Sequence, residues 1–119
     1  MKISALIETI KKHPDYHKVG MILCHNGVVR STSRDGRKVS GLQVSVNHEN
    51  LRQIIEAQKA KPGIIEILVQ IAENQNLSVG DDVMLLLVAG DIRENVISAL
   101  YDTLNAIKTT VTEKTEFYL

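Results

Sequence analysis

The stretch VGMILCHNGVVRSTSRDGRKVSGLQVSV, Val19 to Val46, decides how the rest of the chain is read. Its first part, Val19 to Val29, is almost continuously apolar and predicts a buried strand, with Gly20 at its start and Gly27 at a bulge or bend. Its last part, Val39 to Val46, alternates Leu42, Val44 and Val46 with polar residues, the pattern of a strand with one face in the core. Between them Asp35-Gly36 signals a reversal, so the two strands are expected to form a hairpin with a long tip. That tip is basic, carrying Arg30, Arg34, Arg37 and Lys38 among Ser31, Thr32 and Ser33.

Working outward, Leu6, Ile7 and Ile10 give Ser4 to Lys12 helical spacing, and Pro14 ends it, because a proline disfavours helix at the residue before it. Downstream, Asn47 is an N-cap for a second helix with Leu51, Ile54, Ile55 and Gln58 on one face and Pro62-Gly63 beyond its end. Ile64 to Ile71 and Val83 to Ala89 read as two further strands separated by the turn Asn74-Gln75-Asn76. The longest periodic segment runs from Arg93 to about Thr110, with Val96, Ile97, Leu100, Leu104 and Ile107 as its apolar stripe. Val111 to Leu119 reads as a final extended segment at a sheet edge. The order predicts an α+β fold, a mixed α/β sandwich with helices packed on a largely antiparallel sheet, in one domain over residues 1–119.

Composition narrows the function classes. Fourteen basic residues balance fourteen acidic ones, so no global field draws in nucleic acid or an anionic membrane, and an anion site must be built locally. The longest nearly apolar run, Val83 to Ala89, is far short of the roughly 20 residues a bilayer crossing needs. The start, Met1-Lys2-Ile3-Ser4, leads into an amphipathic pattern and not a signal peptide, so a cytoplasmic location is expected. Cys24 is alone and reads as a small core hydrophobe, with a reactive thiol as the rival. P-loop spacing, paired cysteines and a nucleophile-elbow serine are all absent. His13 and His17 stand four apart like helical metal ligands, but Pro14 between them breaks that helix, and neither metal nor cofactor is expected.

Two features carry chemistry. Guanidinium forks match phosphate oxygens, so the basic tip suits a phosphorylated small molecule, although from charge alone a solvated hairpin tip is the preferred reading. Lys108 falls beside the apolar stripe of the last helix. There a lysine can snorkel, complement the helix C-terminus or point into a pocket.

The segment Gly20 to Arg30, the element Gly27-Val-Val-Arg30, the helix ending at Pro62-Gly63, Val79-Gly80-Asp81 before a strand, and Ile107-Lys108-Thr109 at a helix end together resemble the large, catalytic subunit of molybdopterin synthase. The resemblance implies a homodimer whose protomers each accept the tail of a small ubiquitin-like sulfur-carrier subunit ending in a Gly-Gly thiocarboxylate. Sulfur then passes to a phosphorylated pterin, cyclic pyranopterin monophosphate, to form the dithiolene of molybdopterin. By position, Lys108 corresponds to the family's principal catalytic lysine, and Arg30 and Arg93 to substrate-binding arginines. Arg34, Arg37 and Lys38 are supporting candidates for the phosphate.

The chain departs from the family pattern at three places. His25 stands where an aromatic is usual, and Ile92 where a histidine precedes the helix-start arginine. The family's second lysine falls at Thr115, with Lys114 beside it, and adjacent strand residues point to opposite faces, so Lys114 substitutes only with a shift of register. A non-catalytic binding or regulatory module on the same fold, engaging a carrier protein or an anionic small molecule, is therefore the alternative function. A purely structural interaction domain is a third reading.

Overall fold

The computed structural model describes residues 1–119. In chain order its elements are α1 (Ile3–Lys11), a 3-10 turn (Tyr16–Lys18), β1 (Met21–Val28), β2 (Val39–Val46), α2 (His48–Lys59), β3 (Ile64–Ile71), β4 (Leu77–Ser78), β5 (Asp82–Gly90), α3 (Arg93–Thr110) and β6 (Thr112–Tyr118). They form two antiparallel sheets, ordered β1-β5-β3 and β4-β2-β6. The α+β expectation holds, and the edge position expected of the last segment is that of β6.

The buried strand is β5 and not β1. Leu85 to Ala89 are at most 1% exposed, because β5 lies between β1 and β3 and both its faces are covered. Leu86 and Val88 pack with Ile64, Ile67, Val96 and Ala99 beneath α3, while Leu85, Leu87 and Ala89 pack with Leu6 and Ile10 of α1. β1 is an edge strand, and its Cys24, Asn26 and Val28 are exposed. Cys24 is thus not a core residue; even so, partial withdrawal from water raises its thiol pKa, which disfavours the reactive thiolate.

The expected hairpin between β1 and β2 does not form, since the two strands belong to different sheets. The cause lies at Val29, which is 2% exposed and exchanges hydrogen bonds with the turn before β5: its N–H donates to Asp81 O at 2.9 Å, and Gly80 N–H donates to its carbonyl at 2.9 Å. Anchored there, the chain leaves the first sheet and enters the second. The Asp35-Gly36 reversal survives on a smaller scale. Gly36 takes φ +86°, its N–H donates to Ser33 O at 3.0 Å, and Thr32 bridges to Lys38. The predicted irregularity at Gly27 is present as a register shift between Gly27 and Val28. Gly20 is required for a different reason, because a Cβ there would collide with the Asp91 carbonyl in the turn from β5 to α3.

Asn47 caps α2 as expected, its side chain accepting from Asn50 N–H at 3.0 Å. The buried stripe of α3 is shifted from the expected one: Val96, Ala99, Thr103 and Ile107 face the sheet, while Ile97 is 50% exposed. Small Ala99 and polar Thr103 carry little hydrophobic signal, so the larger neighbours mask them in the sequence. A second, smaller core of Val29, Leu42, Val44 and Leu77 underlies the second sheet and leaves a gap between that sheet and the end of α3. No helix is long and apolar enough to cross a membrane.

Candidate functional site

Strand alternation selects what enters the gap. Leu42 and Val44 of β2 point inward, and β6 pairs with them in the register Val46↔Thr112, Val44↔Lys114 and Leu42↔Glu116. Residues paired across an antiparallel ladder share a face, so Thr112, Lys114 and Glu116 line the gap. Thr115 pairs with the outward Gln43 and points away. The register thus gives the inward position to Lys114.

From above comes Lys108, two residues before the end of α3, where a cation complements the helix C-terminus. It lines two adjoining chambers, as do Lys114, Val28 and Leu42. One chamber, roughly 600 Å³, is polar: Arg30, Thr32, Ser33, Arg34 and Glu116 complete its wall. The other, roughly 490 Å³, is largely apolar, walled by Leu104 and Ile107 of α3, Ile71, Val83 and Met84 of the first sheet, and His25 of β1.

The polar chamber gathers four cations, Arg30, Arg34, Lys108 and Lys114, around one carboxylate. In a chain with no net charge any anion site has to be built locally, and this cluster concentrates the positive charge that one requires. The carboxylate is Glu116, with a side chain 19% exposed and 3.9 Å from Lys114 Nζ. Sequence reasoning missed Glu116, Thr32 and Ser33. The period-two run Thr112, Lys114, Glu116 was the available signal for the first, but it needed the register that only the paired strand supplies.

Ser33 gives the loop an internal brace. It is 8% exposed, its hydroxyl donates to the Asp35 carboxylate and accepts from Arg37 N–H at 3.2 Å, and Ser33 N–H donates to Arg37 O at 2.9 Å. The Ser33 hydroxyl, followed by the Arg37 backbone N–H, holds the Asp35 carboxyl below its usual range.

Other predicted residues stand elsewhere. The Arg37 guanidinium lies over the Tyr118 ring, 3.5 Å from its centroid, and Lys38 is engaged through its backbone in the bridge to Thr32. Neither lines the chambers. Arg93 opens α3, whose axial rise over the fifteen residues to Lys108 is roughly 22 Å, and its Nε donates to Glu94 at 3.3 Å in an exposed pair. His13, once a metal candidate, accepts from Asp15 N–H at 3.0 Å through Nδ1.

Burial lowers the pKa of His25, which lines the apolar chamber together with Lys108, so its imidazole is neutral at neutral pH. A lowered native pKa means that the unfolded chain binds the proton more readily. The contribution of His25 to stability is therefore complete above the ordinary value of 6.5 and declines as pH falls through the interval down to the lowered native value. Urea midpoints measured at pH 7.5 and pH 5.0 are expected to differ less in His25→Phe than in the wild type. An equal difference in the two proteins would assign the pH dependence to other groups.

A family model described as MoaE protein matches residues 1–110. The fold is similar to the crystal structure of molybdopterin synthase from Staphylococcus aureus, with TM-score 0.82 and 21% identity over 100% of this chain and 86% of that one. It is also similar to molybdopterin cofactor biosynthesis protein E from Burkholderia multivorans, with TM-score 0.77 and 18% identity over 100% and 84% of the two chains. A chain in the complex of subunits 1 and 2 of molybdopterin-converting factor from Helicobacter pylori matches with TM-score 0.72 and 14% identity over 99% and 84%. A sequence comparison with curated proteins returns no match.

Proposed function

The chain belongs to the MoaE protein family and so has a role in molybdenum cofactor biosynthesis; we propose that this role is sulfur transfer from a thiocarboxylated carrier subunit to cyclic pyranopterin monophosphate. The observation that carries the reading is the convergence of Arg30, Arg34, Lys108 and Lys114 on one chamber that adjoins an apolar one. Arg30 and Arg34 hold the phosphate, because a guanidinium supplies two parallel N–H donors to its oxygens. The carrier's Gly-Gly tail has no side chains, and its bare backbone enters the gap between α3 and the second sheet. Its thiocarboxylate meets Lys108 and Lys114 there.

In each round the carrier sulfur bonds to a pterin side-chain carbon as that carbon's bond to oxygen breaks, the oxygen leaving with the bonding electron pair either on the phosphate or, once protonated, as water, and an acyl thioester results. Water then adds to the acyl carbon, leaving the carrier as a carboxylate and the sulfur on the pterin. Two rounds supply the two sulfurs of the dithiolene. Lys108, shared by both chambers, stabilises the oxyanion formed at the acyl carbon and exchanges protons with the leaving groups, while Lys114 balances the thiocarboxylate charge. His25, neutral and set in the apolar wall, accepts a proton from the attacking water. A partner small subunit follows from this reading, and so does a homodimer.

Mixing the purified chain with thiocarboxylated carrier and cyclic pyranopterin monophosphate is expected to yield the dithiolene product. A chain that forms none, under conditions where an authentic synthase turns over, is a non-catalytic binding module on the same fold.

A further inference from the structure

The loop that delivers Arg30 and Arg34 is held from outside as well as from within. β6 runs past it, and three contacts tie the two together: Arg37 stacks on Tyr118, Leu119 N–H donates to Lys38 O at 3.1 Å, and the Ser40 hydroxyl donates to Phe117 O at 3.2 Å. The last two involve backbone on one or both sides and fix the strand beside the loop's exit. Only the stack grips a loop side chain. Within the loop, Arg37 is the residue to which Ser33 bonds through both its backbone N–H and its hydroxyl, so fixing Arg37 fixes the turn that contains Arg34.

Tyr118 follows Lys114 and Glu116 at the same strand period, although the register shift between Val39 and Gly41 sets it under the loop and not in the chamber. One strand thereby presents a cation, a carboxylate and then a platform for the arginine loop. Tyr118 is not among the residues that line the chamber.

We propose that the Arg37–Tyr118 stack is a positioning device for the phosphate-binding arginines: it holds the Arg30–Lys38 loop closed over the polar chamber and so sets affinity for the phosphorylated substrate without taking part in the chemical step. This rests on the sulfur-transfer reading for the identity of that substrate. Tyr118 is a positioning residue, acting through Arg37 on Arg34. An exposed stack of this kind changes an equilibrium by a few fold.

The test is steady-state turnover with varied cyclic pyranopterin monophosphate at saturating carrier. Tyr118→Leu is expected to raise KM about fourfold while kcat stays within about twofold, a split that general loss of folded protein would not produce. Tyr118→Phe, which keeps the ring face, restores the wild-type KM. Arg37→Ala matches Tyr118→Leu, and the double variant is no worse than either. An unchanged KM in Tyr118→Leu, a loss confined to kcat, or failure of Tyr118→Phe to restore KM overturns the proposal.

A second readout separates this claim from the enzymatic one. Binding of inorganic phosphate, followed by the side-chain NMR signal of Arg34 against a chloride control, needs neither carrier nor turnover. Weaker phosphate binding in Tyr118→Leu than in Tyr118→Phe supports the positioning role even if the wild type makes no dithiolene. Equal binding in the two variants, or none in the wild type, rejects it.

Discussion

Lys108→Ala is expected to lower dithiolene formation by at least about 100-fold, the usual scale for removing a group that moves protons in the transition state. Its position argues for so large an effect. It is the one residue of α3 that lines both chambers, and it stands at the end of the helix stripe whose Leu104 and Ile107 wall the apolar one. Because the side chain is exposed and makes no ion pair, its loss leaves the fold intact, and circular dichroism should superimpose on that of the wild type. Lys108→Arg should not rescue turnover, since a guanidinium keeps the charge but does not give up its proton. Turnover unchanged in Lys108→Ala would remove the residue from the mechanism. Turnover retained in Lys108→Arg but lost in Lys108→Ala would reduce its role to charge.

How much of this was legible in the sequence depends on how local each signal is. The cap at Asn47, the reversal at Asp35-Gly36, the bulge at Gly27 and the extent of α3 were all readable, because each is set by neighbours within a few residues. Strand partnership was not. Val19 to Val46 has the pattern of two strands and a turn, and nothing within it shows that Val29 is captured by the turn at Gly80 and Asp81, which diverts the chain into a second sheet. The same limit hid the site. Lys114 and Thr115 are indistinguishable candidates until β6 is in register with β2, and Glu116 carries no meaning until it stands beside Lys114.

The basic loop divides along the same line. Its charge was visible, but the division of labour within it was not: Arg30 and Arg34 enter the chamber, whereas Arg37 turns outward to Tyr118, eighty-one positions along the chain. A cluster of four cations read as one feature is two arginines that line the chamber, a third stacked on Tyr118, and a lysine bridged to Thr32 through its backbone.

The other large effect expected is on stability, and it separates the two apolar patterns that the sequence presents as alike. Leu86 is 0% exposed at the centre of β5, opposite His25 of β1 and Val69 of β3 and under α3. Leu86→Ala removes its methyl-bearing carbons from a core with rigid neighbours on three sides, so the site cannot collapse around the vacancy, and about 3 kcal/mol of stability is expected to be lost. For a domain of this size that is a fall in Tm of roughly 10 °C. Ile97 belongs to the apolar stripe predicted for α3, yet it is half exposed, and Ile97→Ala should change stability by no more than about 0.5 kcal/mol. Urea unfolding of the two variants beside the wild type measures both. A cost for Ile97→Ala close to that of Leu86→Ala would mean that α3 turns its other face to the sheet. Lys108 would then rotate away from the chambers with it, because the two assignments rest on the same helical phase.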